Sequence, residues 1–168
     1  MKITVRIPTP VLEGIRADLA RPHAFAGERV GFMAAAAMSS PGTLMLLVRG
    51  YRPVDDDDYN DASHVSAEIG AEAFRKALQW AYRPRSALLH VHSHHGFGKP
   101  GFSTVDLRSG SRFVPSFFTT IPRMPQGMVV LSNDSAAGLV WIDEHQDPIT
   151  VGVFAQMGRR YRRDWSAS

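Results

Sequence analysis

The chain has 168 residues, of which 44% are hydrophobic and 21% charged, a size and balance that fit one globular domain and exclude a disordered segment. It contains no cysteine, which excludes disulfides, thiolate nucleophiles and iron–sulfur clusters and leaves only His, Asp and Glu as metal ligands. The net charge of +3 rests wholly on Arg159, Arg160, Arg162, Arg163 and Asp164, so the rest of the chain is neutral and a nucleic-acid-binding module is not expected.

The N-terminus alternates Ile3, Val5 and Ile7 with polar residues, which predicts a strand closed by Pro8 and Pro10, and a short helix is expected over Val11 to Leu19. Arg6 and the two prolines stand where a signal peptide would carry its apolar core, and no stretch reaches the roughly 20 apolar residues of a membrane span. A cytoplasmic protein is therefore expected, with no membrane partner. Val30 to Met38 and Thr43 to Val48, joined by Pro41-Gly42, predict a buried hairpin. The acidic run Asp55 to Asp58, with Asp61, lacks EF-hand spacing and reads as a solvated connection.

Ile69, Ala73, Phe74, Ala77, Leu78 and Ala81 recur at helical spacing, which predicts a helix over Ser66 to Tyr82 ended by Pro84. Ser86 to His92 reads as a strand, Gly96 to Gly101 as a loop, and Ser103 to Gly110 as a short helix. Gly127 to Leu131, Leu139 to Asp143 and Ile149 to Phe154 read as three further strands. Strands around two or three helices predict an α+β or three-layer architecture. The arginine-rich end, 156–168, is expected as a basic C-terminal helix or tail after a domain spanning 1–155.

The chemistry concentrates in His90-Val91-His92-Ser93-His94-His95, which holds four of the seven histidines. Alternate side chains of a strand share a face, so His92 and His94 can present two imidazoles to one ion while Ser93 turns away. The glycine-rich loop lets the chain double back and bring Asp106 to them as a third ligand, leaving a fourth position open. Ser103-Thr104-Val105-Asp106 reads equally as a helix cap that needs no metal. A hydrolytic site also needs a general base, and among only five glutamates Glu68 and Glu72 are assigned to the exposed side of the helix and Glu144 to a turn. Glu28, ahead of the small-residue strand and three residues before Gly31, is the best candidate; the alternative is a surface acid at a strand start.

Glu28-Arg29-Val30-Gly31, His92-Ser93-His94 and Ser103-Thr104-Val105-Asp106, in that order, resemble the signature of the JAMM metalloproteases, also called MPN-plus or JAB-domain proteases. The resemblance covers about residues 1–155. It implies an MPN/JAB fold, a mixed central sheet flanked by helices in three α/β/α-like layers comparable to those of cytidine deaminases. It further implies a zinc ion held by His92, His94 and Asp106, with Glu28 moving a proton from zinc-activated water to the leaving amine and Ser103 donating a hydrogen bond to the oxyanion.

The implied activity is cleavage of isopeptide or peptide bonds after the C-terminal tail of a ubiquitin-like protein, for which the loop Gly96 to Phe102 and a neighbouring strand edge would form a groove. The compact length resembles bacterial JAB proteases of ubiquitin-like conjugation systems, including antiviral ones. Ubiquitin-like proteins and their conjugates are then the implied partners, with E1-like and E2-like proteins of the same system. The chain departs from the family pattern in a loop one residue longer between His94 and Ser103, in His95 where proline is common, and in Ala34 to Ala37 where glycine and leucine are usual. His95 reads as a spare ligand or substrate contact and His90 as a buried or supporting residue. Two other readings are a histidine-triad nucleotide hydrolase, suggested by His90, His92 and His94, and a non-catalytic MPN scaffold.

Overall fold

A computed structural model describes residues 1–22, 26–60 and 67–158, and the backbone of 162–165. The order is β1 (Lys2–Pro8), α1 (Thr9–Leu19), β2 (Val30–Ser40), β3 (Thr43–Pro53), a 3-10 turn (Asp56–Asp58), α2 (Ala71–Tyr82), β4 (Ala87–Ser93) and α3 (Thr104–Thr120). The chain then forms β5 (Gln126–Leu131), β6 (Ala136–Trp141), β7 (Ile149–Thr150), β8 (Val153–Met157) and β9 (Arg162–Trp165). The strands form one mixed sheet in the order β7-β6-β5-β4-β2-β3-β1-β8-β9. This is the expected α+β class. Among the described residues no helix is long and apolar enough to cross a membrane.

Alternation of side chains gives the sheet two apolar faces, each covered by helix. Ile3, Val5 and Ile7 of β1 join Met33, Leu89, Val91 and Val129 beneath Leu12, Ile15 and Leu19 of α1. On the opposite face Phe32, Leu88 and Met128 meet Ala73, Ala77 and Ala81 of α2 and Val114, Phe117 and Phe118 of α3. The sheet curls until its ends approach: the Val151 N–H donates to Gly138 O and the Gly152 N–H to Ile3 O, both at 2.9 Å. One segment thus touches β6 on one side and β1 on the other.

The β2–β3 hairpin forms as expected, with Gly42 at φ 74° in the turn. The other expected boundaries shift for tertiary reasons. α3 continues through Gly110 and Pro115, although proline inside a helix costs roughly 3 kcal/mol. Gly110 is where the helix lies against Met128 of β5, since a Cβ there would collide with the Met128 sulfur. Burial of Val114, Phe117 and Phe118 beyond the proline carries the helix on.

α2 begins at Ala71, so Glu68 lies ahead of it, accepting a bond from Asn60 Nδ2 at 3.2 Å rather than standing on the helix. The acidic run is a clasp instead of a purely solvated connection: Lys76 Nζ lies 2.8 Å from Asp55 and 2.7 Å from Asp58, and Arg29 reaches Asp56 at 2.7 Å. Asp61 lies outside the described residues. At the C-terminal end, 162–165 pair antiparallel with β8 as a strand, not a helix, because the β8 edge offers unpaired backbone groups. β8 itself runs to Met157, so the sheet continues past the boundary expected at 155.

Gly31, the glycine three residues after Glu28, has a steric cause. A Cβ at that position would collide with the ring of Tyr51 on the neighbouring strand, whose O–H donates to Asp18 Oδ2. Burial, then the hydrogen bond to Asp18, pushes the Tyr51 phenol well above its usual range, so it stays a neutral donor. Gly31→Ala is expected to destabilise the protein by about 1–3 kcal/mol through overpacking. Denaturant unfolding will check this, and the loss should shrink in a Tyr51→Ala background; an equal loss in both backgrounds would exclude the collision as the cause.

Candidate metal centre

The site stands where three strand ends meet. β4 runs antiparallel to β2 and parallel to β5, so His92 is paired with Val30 at the start of β2 and with Val130 near the end of β5. His90, His92 and His94 therefore share the α2/α3 side, and Ser93 faces away with its hydroxyl 3.3 Å from Leu131 O, as alternation predicts. Glu28, two residues before β2, arrives at the same place. Its backbone is held by Arg29, whose guanidinium bonds Arg21 O at 3.0 Å, Pro22 O at 2.9 Å and Asp56, and by Tyr59, whose hydroxyl accepts from the Val30 N–H at 2.8 Å.

The third element is the N-terminus of α3. Ser103 and Asp106 form a reciprocal cap: the Asp106 N–H donates to Ser103 Oγ at 3.1 Å and the Ser103 N–H to Asp106 Oδ2 at 2.7 Å. Of the two readings these residues allow in the sequence, the cap is formed. The cap turns the carboxylate so that Oδ1 stands 3.5 Å from His92 Nε2 and Oδ2 stands 3.5 Å from His94 Nε2. Glu28 Oε1 is 4.0 Å from His94 Nε2. The group of donor atoms that lie within 4.8 Å of one another and could hold a metal ion is Glu28, His92 and His94; Asp106, the third ligand expected from the resemblance, is not in it.

Two tests of fit favour a cation. Each Asp106 oxygen stands 3.5 Å from a different histidine Nε2, a separation too long for a good N–H···O bond. In addition, His92 is 2% exposed, and neither its Nδ1 nor its Nε2 has a hydrogen-bond partner. Each buried nitrogen left so costs about 1–3 kcal/mol, which a metal at Nε2 would offset on that side of the ring. Nδ1, the atom that a ligating histidine usually commits to a carbonyl or carboxylate, is bare as well. Burial pushes the Asp106 carboxyl up, but His92 and Ser103 outweigh it and hold the group well below the usual carboxylate range, anionic and ready as a ligand.

The remaining candidates separate clearly. His90 is buried, its ring 5.5 Å from Phe32, 5.0 Å from Phe113 and 5.8 Å from His92, and burial with the neighbouring His92 lowers its pKa to about 3. It is buried and neutral. His95 lies on the other face beside Arg16, Leu19 and Ser93, away from the metal group. Glu72 is paired with Arg75 on α2 and Glu144 lies beside His145, whereas Glu28 stands 4.0 Å from His94 Nε2 and Glu68 lines a cavity with His92.

The loop after His95 is tied to the β5–β6 turn: the Gly98 N–H donates to Asp134 Oδ1 and Ser132 Oγ to Gly98 O, both at 2.7 Å, with Gly96 and Gly98 at φ 119° and 85°. The strand edge expected beside that loop is absent among the described residues, because β4 lies inside the sheet and the edges are β7 and β9. Arg29 and Tyr59, which hold the Glu28 segment, belong to no motif in the sequence. A lone arginine at the head of an apolar strand was the one available signal for them. Neither protein-family models nor curated proteins match the chain.

Ser103→Ala removes a cap acceptor and is expected to cost about 0.5–2 kcal/mol of stability, whereas Ser103→Gly should cost only a few tenths. If the hydroxyl also donates in catalysis, both variants should lose turnover by about 100- to 1,000-fold. Thermal unfolding and rate measurements on the pair separate the two roles, and activity that tracks stability would leave Ser103 as a cap alone.

Proposed function

We propose that the chain is a JAMM-type zinc metallopeptidase of MPN/JAB architecture. The observation that carries this is the Asp106 carboxylate, fixed by its cap with one oxygen toward each of His92 Nε2 and His94 Nε2 at 3.5 Å. His92, His94 and Asp106 would hold the zinc. When bound, it lowers the pKa of water from about 15.7 toward roughly 7 and polarises a carbonyl.

The protein groups supply the rest. Glu28, 28% exposed and within reach of the histidine pair, takes a proton and delivers it to the leaving amine. Ser103, whose Oγ already accepts from Asp106, has its own proton to donate to the carbonyl oxygen as charge builds there. The helix terminus keeps this donor and the carboxylate in one fixed arrangement. A carboxylate shared by two histidines supports this function over the histidine-triad one, which gives Ser103 and Asp106 no role.

The substrate class we propose is an isopeptide or peptide bond following the C-terminal tail of a ubiquitin-like protein, in a bacterial conjugation system of antiviral type. The deciding experiment is elemental analysis of wild type and His92→Ala after dialysis against a weak chelator, followed by incubation of the zinc-loaded protein with ubiquitin-like fusions. About one zinc per chain in wild type, none in the variant, and cleaved fusions are expected. Zinc without cleavage of any fusion would remove the peptidase activity, and no metal in either protein would return the histidines to packing or phosphate chemistry.

A further inference from the structure

Beside the histidines, the α2/α3 side of the sheet holds an open cavity of about 280 Å³ lined in part by Glu28, His92 and Asp106. Val30, Phe74, Phe113 and Met128 give it apolar walls, and Glu68, Ser109 and Arg112 line it as well. His94 and Ser103 do not line it, so the cavity extends from the metal group away from the Ser103 hydroxyl. It is a cleft open to solvent, and Phe74, Phe113 and Met128 in its walls can make dispersion contacts with a guest.

Size and chemistry together narrow the occupant. An apolar cavity of roughly 150 Å³ holds a benzene ring, whereas sites for drug-sized ligands begin near about 300 Å³. The space therefore suits one large side chain and is too small for a nucleotide or an extended cofactor. Phe74 and Phe113 lie with centroids 5.3 Å apart and tilted rings, and Met128 adds a polarizable sulfur. Ring edges and a thioether favour an aromatic guest over a branched aliphatic one.

Resting on the metallopeptidase function above, we propose that this cavity is a specificity pocket that receives a large apolar side chain, preferentially aromatic, from a residue flanking the bond to be cut. Glycine at that position would leave the pocket empty. The substrate class is thereby narrowed to chains carrying a Phe-, Tyr- or Trp-like residue next to the scissile bond, with the extended tail lying outside the cavity.

The test separates the pocket from the chemistry. Metal-free protein is titrated with N-acetyl-phenylalaninamide and with N-acetyl-glycinamide by ligand-detected NMR, and zinc-loaded protein is given a peptide library whose cut sites are read by mass spectrometry. The phenylalanine probe is expected to bind at least about tenfold tighter, with nuclear Overhauser contacts to the Met128 methyl, and aromatic residues should be enriched at one position beside the cuts. Ala67→Trp, which places a ring at the cavity wall, should abolish both preferences. The Met128 contacts in wild type serve even if that variant does not fold.

Equal binding of the two probes, or cuts with no aromatic enrichment, overturns the pocket while leaving peptidase activity standing. Selective binding at Met128 with no peptide cut overturns the peptidase function and with it the placement beside a scissile bond.

Discussion

Glu28→Gln is expected to keep the metal and to lose turnover by about 100- to 10,000-fold, the range for removing a general acid–base group. The substitution preserves shape and removes only the proton acceptor. Glu28 is farther from the histidines than Asp106 is, with its oxygen 4.0 Å from His94 Nε2 against 3.5 Å for Asp106. Its backbone is set by Arg29 and Tyr59, so the side chain itself carries little of the fold. Zinc content and the rate of fusion cleavage, measured on the same preparation, check the expectation. The competing assignment is concrete, because Glu28, His92 and His94 by themselves could hold an ion. If Glu28→Gln loses zinc, Glu28 is a ligand and the base must be sought elsewhere.

Asp106→Ala is expected to release the metal and abolish turnover. The loss in affinity should exceed the roughly 10- to 100-fold typical of removing a group that only supports a ligand. This variant also deletes the acceptor for the Ser103 N–H, 2.7 Å away, so a modest loss of stability accompanies it. Asp106→Asn provides the control: its amide oxygen can still accept from Ser103 N–H, while the charge that attracts the cation is gone. Weak metal binding with a normal unfolding curve in Asp106→Asn would establish that the carboxylate serves the ion as well as the helix. Unchanged zinc content in both variants would return Asp106 to capping alone.

His92 and His94 were legible as a pair because a strand repeats every second residue, and that period survives whatever sheet the strand joins. The same holds for β1, for the β2–β3 hairpin with Gly42 in its turn, and for the cap of α3, whose bonding partners lie three residues apart. Glu28 was legible only by elimination among five glutamates and by the glycine after it. That glycine has a reason outside its own segment, the Tyr51 ring on the next strand.

What the residues determined by themselves is therefore local: periodicity, turns, caps and the types of ligand available in a chain without cysteine. The tertiary structure decided what depends on distant partners. The continuation of α3 through Gly110 and Pro115 follows from its contact with β5, and the pairing of 162–165 follows from the free edge of β8. The clasp of Arg29 and Lys76 on the acidic run and the cavity behind Asp106 belong to the same class. Each joins residues well separated in the chain, and the energy that selects them, burial and close contact, is absent until the sheet has closed around its two cores.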